Sequence, residues 1–374
     1  MRQVAADFKV SLATVQKWVE RAGNRRLDRV DWSDQRRGPR HDTGRTPRAM
    51  EDLVLTVRTE LRETSALGEF GAAAIHRELL ERGVEHPPAI RTLNRILNRR
   101  GALDGRRRLR RPAPPRGWYL PDVAERRKEL DSFDFIEGLF IQDGPEVEIL
   151  TAISLHGGLA AAWPMTESSS KRAAEALIAH WRAVGRPAYA QFDNGTVFQG
   201  PHQHPDTIGR VSRVSVSLGI VPVFVPPRER GFQACIENFN GQWQSKVWAR
   251  FHHESLADLE ARSAQYIAAS RNRSAARIEA APRRRRFPKG WRPNLQARLR
   301  GRIVYLRRTN DDGAVRVLGQ TFEVASRWIN RLVRAEVDLD EDTITFYALR
   351  RRAPSHQTLL KRVNHRVPHR RFRE

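Results

Sequence analysis

Apolar side chains in the first hundred residues recur every three or four positions, the spacing that is typical of amphipathic helices. Residues 4–22 predict two short helices joined by a turn, with Ser11 as the N-cap of the second helix. Residues 51–103 predict three further helices, and the polar residues 25–50 predict a linker between the two blocks. We therefore expect two separate helical modules in the N-terminal part of the chain.

Both helical blocks have the form of a helix-turn-helix, in which the second helix enters the major groove of DNA. In the first block, residues 1–24, the outward side chains expected to meet DNA are Thr14, Gln16 and Lys17. In the second block they are Arg91, Asn94 and Arg95. A plain helical hairpin and a helical spacer are the alternatives. The first block begins almost at Met1, which leaves open whether that module is complete.

The pattern changes after residues 104–124, a basic linker that contains several prolines. Within residues 125–275, three consecutive strand-like runs precede a helix, a further strand, a helix-like segment, a fifth strand and a long helix. Consecutive strands followed by alternating helices and strands predict an α/β layer fold with a mixed sheet. This block is therefore the candidate catalytic core.

The C-terminal part of the chain changes pattern once more. Residues 276–300 are rich in arginine and proline and predict a second basic linker. Residues 301–350 contain short alternating runs separated by turn signals, which predict a small antiparallel β-barrel. The basic tail, residues 351–374, is expected to be disordered in the absence of DNA.

Charge supports a nucleic-acid partner. The net charge of +24 implies a polyanion, and nucleic acid is the usual one. Residues 129–250 carry 10 basic and 13 acidic side chains, whereas residues 283–374 carry 24 basic and 9 acidic ones. A slightly acidic centre with basic flanks predicts that separate modules hold DNA while a carboxylate site acts on it. A solvated basic surface that reflects an arginine-rich genome is the alternative.

Cysteine usage and apolar runs indicate the compartment. Cys235 is the only cysteine, which excludes internal disulfides and multi-cysteine zinc sites and fits a reducing cytoplasm. The chain has neither a run of about 18 apolar residues, as a membrane span needs, nor the N-terminal pattern of a signal peptide. We therefore expect a cytoplasmic protein with no membrane partner.

Two carboxylates in the central block stand where strands and helices begin or end. Asp193 ends an apolar strand and precedes an Asn-Gly turn, which places it at the sheet edge where open α/β folds keep their sites. Glu237 lies near the start of the long helix, with Asn240 and Gln244 on the same face, where we expect the two amides to contact DNA. Each carboxylate also has an ordinary explanation, as a turn residue or as a favourable charge in a first helical turn.

A third carboxylate lies within the first strand of this block. Strand alternation puts Asp134 on the face opposite that of Phe133 and Phe135. A charge in an apolar strand is costly unless it is paired or binds a metal. Asp131 is the rival and would point to the other face; we favour Asp134 because the strand continues past it.

The three carboxylates together suggest a divalent-metal site, because like charges that share a site repel one another without a cation. Hard oxygen ligands suit Mg²⁺ or Mn²⁺. Two such ions about 4 Å apart would activate an attacking hydroxyl and stabilise the leaving oxygen of an in-line displacement. The expected chemistry is therefore phosphodiester cleavage or transfer.

The order of these motifs resembles the catalytic core of retroviral-type integrases and, more closely, that of bacterial insertion-sequence and Mu-like (DDE) transposases. The residues that carry the resemblance are Asp134, Asp193 with its Asn-Gly turn, Pro226, Pro227, Gly231 and the run from Ile236 to Asn240. The resemblance covers residues 125–275, and the flanking modules extend it to nearly the whole chain. It implies a ribonuclease-H-like fold for the core.

The resemblance also implies the reaction. Asp134, Asp193 and Glu237 would be catalytic and would hold Mg²⁺ or Mn²⁺, as a pair of ions. Water attack on a phosphodiester would free a 3′-OH, which would then attack target DNA without a covalent protein–DNA intermediate. The implied partners are double-stranded DNA, as element ends and target, and further copies of the chain assembled on that DNA in a bacterial cytoplasm.

Two alternatives keep the fold but change the function. A transposon-derived regulator would retain the basic modules and bind DNA without cutting it. A ribonuclease-H-like nuclease would cut DNA without joining it to a second molecule. The presence of all three carboxylates argues against the regulator, whereas the nuclease would need the same carboxylates and stays open.

Overall fold

The computed structural model describes residues 1–33, 46–103, 116–201 and 204–373. It divides into two compact units, Met1–Leu53 and Val54–Glu374. The predicted linkers 25–50 and 104–124 fall partly outside the described residues, at 34–45 and 104–115.

The first unit begins with the two helices that the apolar spacing predicted. They are α1 (Arg2–Asp7) and α2 (Leu12–Ala22). The Ser11 side chain accepts a hydrogen bond of 3.1 Å from the backbone N–H of Thr14, so the predicted N-cap is confirmed. A short 3₁₀ turn follows at Leu27–Arg29. DNA binding by this helix pair stays a prediction.

Three more helices precede the sheet. They are α3 (Arg48–Thr64), α4 (Ala72–Glu81) and α5 (Ile90–Arg99). Leu93, Ile96 and Leu97 of α5 are fully buried, as their spacing on one helical face requires. This agrees with the predicted helical block, while the helix-turn-helix role of α5 is not tested by its burial.

The second unit contains one large mixed sheet and the helices that cover it. The strands that precede the C-terminal segment are β1 (Leu130–Phe140), β2 (Glu146–Ser154), β3 (Ala160–Met165), β4 (Tyr189–Phe192) and β5 (Val221–Phe224). The helices of the same region are α6 (Pro121–Ala124), α7 (Ser170–Val184), α8 (Thr196–Gln199), α9 (Arg210–Ser217), α10 (Ala234–Trp243), α11 (Leu256–Arg273) and α12 (Ala275–Glu279). A π-helical turn, Gln244–Trp248, follows α10 directly.

Of the C-terminal strands that the structure describes, four continue this sheet and two form a separate ribbon. They are β6 (Arg302–Arg308), β7 (Ala314–Val317), β8 (Gln320–Glu323), β9 (Leu332–Asp338), β10 (Thr343–Ala348) and β11 (Leu359–Asn364). The nine-stranded sheet has the order β11-β10-β9-β6-β5-β4-β1-β2-β3, and β7 pairs with β8 in a separate ribbon. The predicted mixed α/β architecture is confirmed.

The prediction of a separate small β-barrel at 301–350 is not confirmed. β6 pairs in parallel with β5, with Val223 opposite Val304, so the segment extends the core sheet. The alternation that suggested a barrel is a property of each strand alone and does not specify its pairing partner. The expectation of a disordered tail is also wrong for Leu359–Asn364, because β11 pairs with β10 and its backbone hydrogen bonds are thereby satisfied.

The predicted basic linker 276–300 is tied to the core at several points. The Arg284 guanidinium makes two hydrogen bonds to Asp131, of 2.8 and 2.5 Å. Phe287 and Trp291 pack against the main hydrophobic cluster. The segment therefore forms part of the packed unit, since its arginines satisfy a buried carboxylate that composition alone cannot reveal.

The two faces of the sheet are covered by different helices. Phe133 packs with Trp181 of α7 and with α9 on one face. Ile136 belongs to a second cluster with residues of α10 and α11, on the other face. The predicted alternation along β1 is therefore confirmed, and it places Asp131 and Asp134 in different surroundings. No helix among the described residues is both long and apolar enough to cross a bilayer.

Candidate active site

The strand register brings two of the three candidate carboxylates side by side. β1 and β4 are parallel neighbours in which Asp131 lies opposite Ala190 and Ser132 opposite Gln191. Continued by two residues, this register puts Asp134 beside Asp193, immediately after the last residue of β4. The long β1 strand thus carries its carboxylate to the edge where β4 ends, as open α/β sheets require for a site.

Asp131 has a structural environment. Its side chain is 1% exposed and pairs with Arg284, and the indole Nε1 of Trp181 donates a further bond of 3.2 Å. Burial by itself would raise the pKa of Asp131, but the charge and hydrogen bonds of Arg284, with His180, outweigh it and hold that pKa below its usual value. Both carboxylate oxygens of Asp131 accept hydrogen bonds from protein donors, whereas Asp134 has no such cation among the described residues and stays the candidate for the site.

The turn after β4 orients Asp193. The backbone N–H of Gly195 donates 2.9 Å to Asp193 Oδ1, which closes a local turn. Asn194 Nδ2 donates 2.7 Å to the Val225 carbonyl, and Asn194 Oδ1 accepts 2.9 Å from Arg307 Nη2. The turn is therefore attached to β6 and to the residue that follows β5, while Asp193 itself stays partly exposed.

Arg307 is an arginine that sequence reasoning missed. It is 8% exposed and also donates to the backbone oxygens of Val225 and Leu306, at 3.2 and 2.9 Å. Burial lowers the pKa of Arg307 to about 10. Strand alternation could not have identified it, because residues on both faces of β6 are buried, among them Ile303 and Val304.

Glu237 lies in the first turn of α10 and is exposed. The buried side chains that anchor this helix are Ile236, Phe239 and Trp243, which pack into the cluster shared with β1 and β2. Anchoring on one face leaves Glu237 directed away from the core, where it can reach a ligand. Gln244, predicted to contact DNA, is also exposed, at the start of the π-helical turn.

Asn240 has a role different from the predicted DNA contact. It is 9% exposed, and its Nδ2 donates a hydrogen bond of 2.9 Å to Asp134 Oδ2. The Thr151 hydroxyl, on the β2 strand opposite Asp134, lies 2.7 Å from Asn240 Oδ1 and 3.0 Å from the Asp134 backbone oxygen. The Asn240 side chain points inward, towards the core side of α10. Its burial costs little free energy because Asp134 and Thr151 satisfy its hydrogen-bonding groups.

The three carboxylates act on one another electrostatically. Burial and the charge of Asp193 raise the pKa of Asp134 to about 7, and the charges of Glu237 and Glu137 act in the same direction. A nearby cation would strongly stabilise the ionised form of Asp134. No Lys or Arg side chain among the described residues forms an ion pair with this carboxylate. The charges of Asp193 and Glu237 therefore both disfavour the ionised form of Asp134 in the folded chain.

The donor set fits a hard divalent cation, since all three side chains are carboxylates and one has an unfavourable charge in this structure. Their side chains have not converged into a ligand cluster: among the described residues, no group of three His, Cys, Asp or Glu side chains is arranged to hold a metal ion. Asp134 and Asp193 are brought together by the sheet, whereas Glu237 depends on its helix and side-chain rotamer.

The candidate DNA-contacting side chains on the helical modules lie at the surface. Gln16 and Lys17 of α2 are exposed, and Thr14 is half-buried. Arg91, Asn94 and Arg95 of α5 are all exposed. Their exposure is compatible with the predicted contacts and equally with a solvated helix face, so the contacts stay a prediction.

Structural comparison aligns the chain with several solved retroviral structures. One is a chain of the simian T-cell lymphotropic virus intasome in complex with PP2A regulatory subunit B56 gamma, with 14% identity, a TM-score of 0.37, and coverage of 74% of this chain and 91% of that one. The catalytic core domain of BIV integrase has 18% identity and a TM-score of 0.28, covering 38% and 81%. That of HTLV-2 integrase in complex with magnesium has 12% identity and a TM-score of 0.28, covering 42% and 87%.

Likenesses of this strength identify neither the family nor the activity of the chain. No protein-family model and no curated protein matches it. The functional assignment therefore depends on the residues of the site described above.

Proposed function

We propose that this chain is a DDE-type DNA transposase or integrase, which cuts a DNA strand and joins the resulting 3′-OH to a second DNA. The single observation that supports it most is the pairing of β1 with β4, which sets Asp134 beside Asp193. Glu237 acts on the same neighbourhood from α10, as the raised pKa of Asp134 reflects. Net charge supplies the second support, because +24 at pH 7 favours a polyanionic partner.

Asp134, Asp193 and Glu237 would hold Mg²⁺ or Mn²⁺, as one ion or a pair. When bound, such ions activate the attacking hydroxyl and stabilise the leaving oxygen at a phosphodiester. The chain's own residues prepare this site. Asn240, tied to Thr151, orients the Asp134 carboxylate, and the Gly195 N–H orients that of Asp193. Arg307 holds the intervening turn through Asn194.

The flanking modules would bind double-stranded DNA, namely the element ends and the target. Lys17 and Gln16 of α2 and Arg91 and Arg95 of α5 are the exposed side chains proposed for this contact. We further propose a homo-oligomer assembled on DNA in the cytoplasm of a bacterium. The oligomer is proposed from the resemblance to insertion-sequence and Mu-like transposases.

The test is a reaction of the purified full chain with Mg²⁺ and a duplex that carries the inverted repeats flanking its gene. We expect a 3′-OH end and its covalent joining to a second DNA molecule. Asp193→Asn and Glu237→Gln should each lower the cleavage rate by at least about a thousandfold, since each removes a charge from the site. Affinity for the same duplex, measured with chelator present, should change less than about twofold.

Matched controls are Asp143→Asn, at an exposed turn, and Glu175→Gln, on the exposed side of α7, which remove the same charges elsewhere. Both should cleave like the wild type. Strand transfer that survives Asp193→Asn would remove the site assignment. Binding without cleavage would indicate the regulator, and nicking without joining would indicate the nuclease.

A further inference from the structure

A second concave surface lies away from the carboxylates. An open groove of about 770 Å³ runs between the C-terminal end of α7 and the segment 284–292. It is found where β4 begins, since Arg186 precedes that strand and Asp193 follows it. The four residues of β4 span about 13 Å, so the groove and the candidate active site lie at opposite ends of the sheet.

The groove is lined by cations and by no carboxylate among the residues described. Its basic side chains are Arg182, Arg284, Arg285, Arg286, Lys289 and Arg292. Crowded like charges repel one another, and a concave wall of one sign concentrates counter-ions. The lining is therefore suited to an anionic partner with more than one charge.

Two of these arginines are already engaged and build the wall. Arg284 pairs with the buried Asp131 and also donates 3.1 Å to the Gly185 carbonyl. Arg285 donates to the Pro187 carbonyl at 3.3 Å and to that of Gly219, while its backbone pairs with Arg186 as an isolated β-bridge. The segment is thus held against the sheet by its side chains and its backbone.

Aromatic packing adds stiffness on the same side. Phe287 and Trp291 meet edge to face with ring centroids 5.6 Å apart, and the Arg182 guanidinium lies over the Phe287 ring at 5.2 Å. Both rings are only partly exposed and pack against the main cluster. They support the cationic wall more than they offer a free stacking face.

Arg286, Lys289 and Arg292 are the cations that remain for a ligand. All three are exposed, and no ion pair or side-chain hydrogen bond engages any of them within the described part of the chain. Three exposed cations on a segment anchored to the sheet can bind the phosphates of a DNA backbone, a contact that does not depend on the base sequence.

We propose that this groove, through Arg286, Lys289 and Arg292, binds the phosphate backbone of double-stranded DNA away from the carboxylate site. The choice of DNA as the polyanion rests on the proposed function. The groove itself stands on its geometry and charge. It would hold a stretch of duplex that does not react, and so add affinity without sequence preference.

The test compares duplex binding by the full chain over a range of salt concentrations, with chelator present so that no reaction occurs. The variant is the triple substitution R286A, K289A and R292A. Removing one phosphate-binding cation should lower the slope of log affinity against log salt by about one, so for three we expect a decrease of about three. Affinity near 0.1 M salt should fall at least about tenfold.

A charge-matched control is the triple substitution K128A, K171A and R172A, at exposed positions of the central block outside the groove. It lowers the net charge equally and should keep the slope within about half a unit of the wild type. R286K with R292K keeps point charges that can bind phosphate and should also retain the slope. If the first triple variant has the slope of this control, the proposal is overturned.

Stability separates a binding role from a structural one. Removing three crowded cations relieves repulsion, so the groove variant should melt at or above the wild-type temperature without DNA. A fall in melting temperature together with an unchanged slope would assign these residues to folding and reject the proposal. A decrease in affinity confined to single-stranded DNA would likewise reject the duplex as ligand.

Failure of this inference can be told from failure of the proposed function. If strand transfer occurs but the groove variant binds like its control, only the groove assignment is rejected. If the salt slope decreases as expected while no cleavage is seen with Mg²⁺, the groove stands and the enzymatic proposal is rejected.

Discussion

Two aspartates on the same strand have opposite environments. Asp131 is buried and has a matching cation, with Arg284 Nη2 2.5 Å from its Oδ2. Asp134, three residues further along β1, is subject to the charges of Asp193 and Glu237, and its one side-chain donor among the described residues is the neutral amide of Asn240, at 2.9 Å. The first arrangement stabilises the folded chain, whereas the second leaves a charge that a ligand can match. Charge pairing, more than burial, distinguishes a structural carboxylate from a candidate catalytic one.

The largest effect on stability is expected at the paired end of the strand. Asp131→Ala leaves Arg284 buried without its anion, which should lower the free energy of unfolding by roughly 3–5 kcal/mol. The measurement is urea denaturation at pH 7. Asp122→Ala is the matched control, because its ion pair with Arg127 is largely exposed. That control should cost less than about 1 kcal/mol.

The loss of stability caused by Asp131→Ala should also depend on pH. The lowered pKa of Asp131 means that its contribution is present above about pH 4, the unfolded value, and is lost as pH falls through the folded pKa. The difference between wild type and Asp131→Ala should therefore shrink in acid. A difference that stays constant from pH 7 to pH 3 would show that the ion pair is not its source.

A smaller effect of opposite sign is expected at the site. Folding raises the pKa of Asp134 to about 7, so its ionised form destabilises the folded state, increasingly as pH rises from about 4 to 7. Asp134→Asn has no such charge and should be more stable than the wild type by about 2 kcal/mol at pH 8 with chelator. Thermal unfolding at pH 5 and pH 8 measures the difference.

Addition of Mg²⁺ provides a control for the prediction on Asp134→Asn. Mg²⁺ should raise the melting temperature of the wild type at pH 8 and leave Asp134→Asn nearly unchanged, because only the wild type gains a matched charge. Equal stabilisation of both proteins by Mg²⁺, or a variant less stable than wild type at pH 8, would contradict the assignment of Asp134 as a ligand.

The smallest effect concerns the amide that orients Asp134. Thr151→Val removes the hydroxyl that lies 2.7 Å from Asn240 Oδ1 and leaves that buried oxygen unpaired. The cost in unfolding free energy should be about 1–2 kcal/mol. The cleavage rate should fall by about tenfold, because the carboxylate loses its orientation. Thr151→Ser keeps the hydroxyl and should restore the rate; a serine variant as slow as the valine variant would assign the effect to packing.

Some elements of the fold could be predicted from the sequence, and others could not. The strand that carries Asp134, the strand that ends before Asp193 and the helix that begins near Glu237 were all predictable, because apolar periodicity is a local property. The barrel at 301–350 was not confirmed and the tail prediction was wrong for Leu359–Asn364, since local alternation does not reveal which edge a strand will join. Asn240 was placed correctly on α10, but its hydrogen bond to Asp134 was not predicted, because a helical pattern does not show whether such an amide turns inward or outward.

The sequence by itself determined that Asp131 and Asp134 point to opposite faces of one strand, and that Asp193 lies at a strand end. Only the tertiary structure decided which aspartate is neutralised, because the decisive partner, Arg284, is 153 positions from Asp131 in the chain. It also decided that β4 is the neighbour of β1, which brings Asp134 to Asp193. The physical reason is that side-chain direction follows from the geometry of a single strand, whereas the electrostatic environment of a buried charge is set by segments distant in sequence.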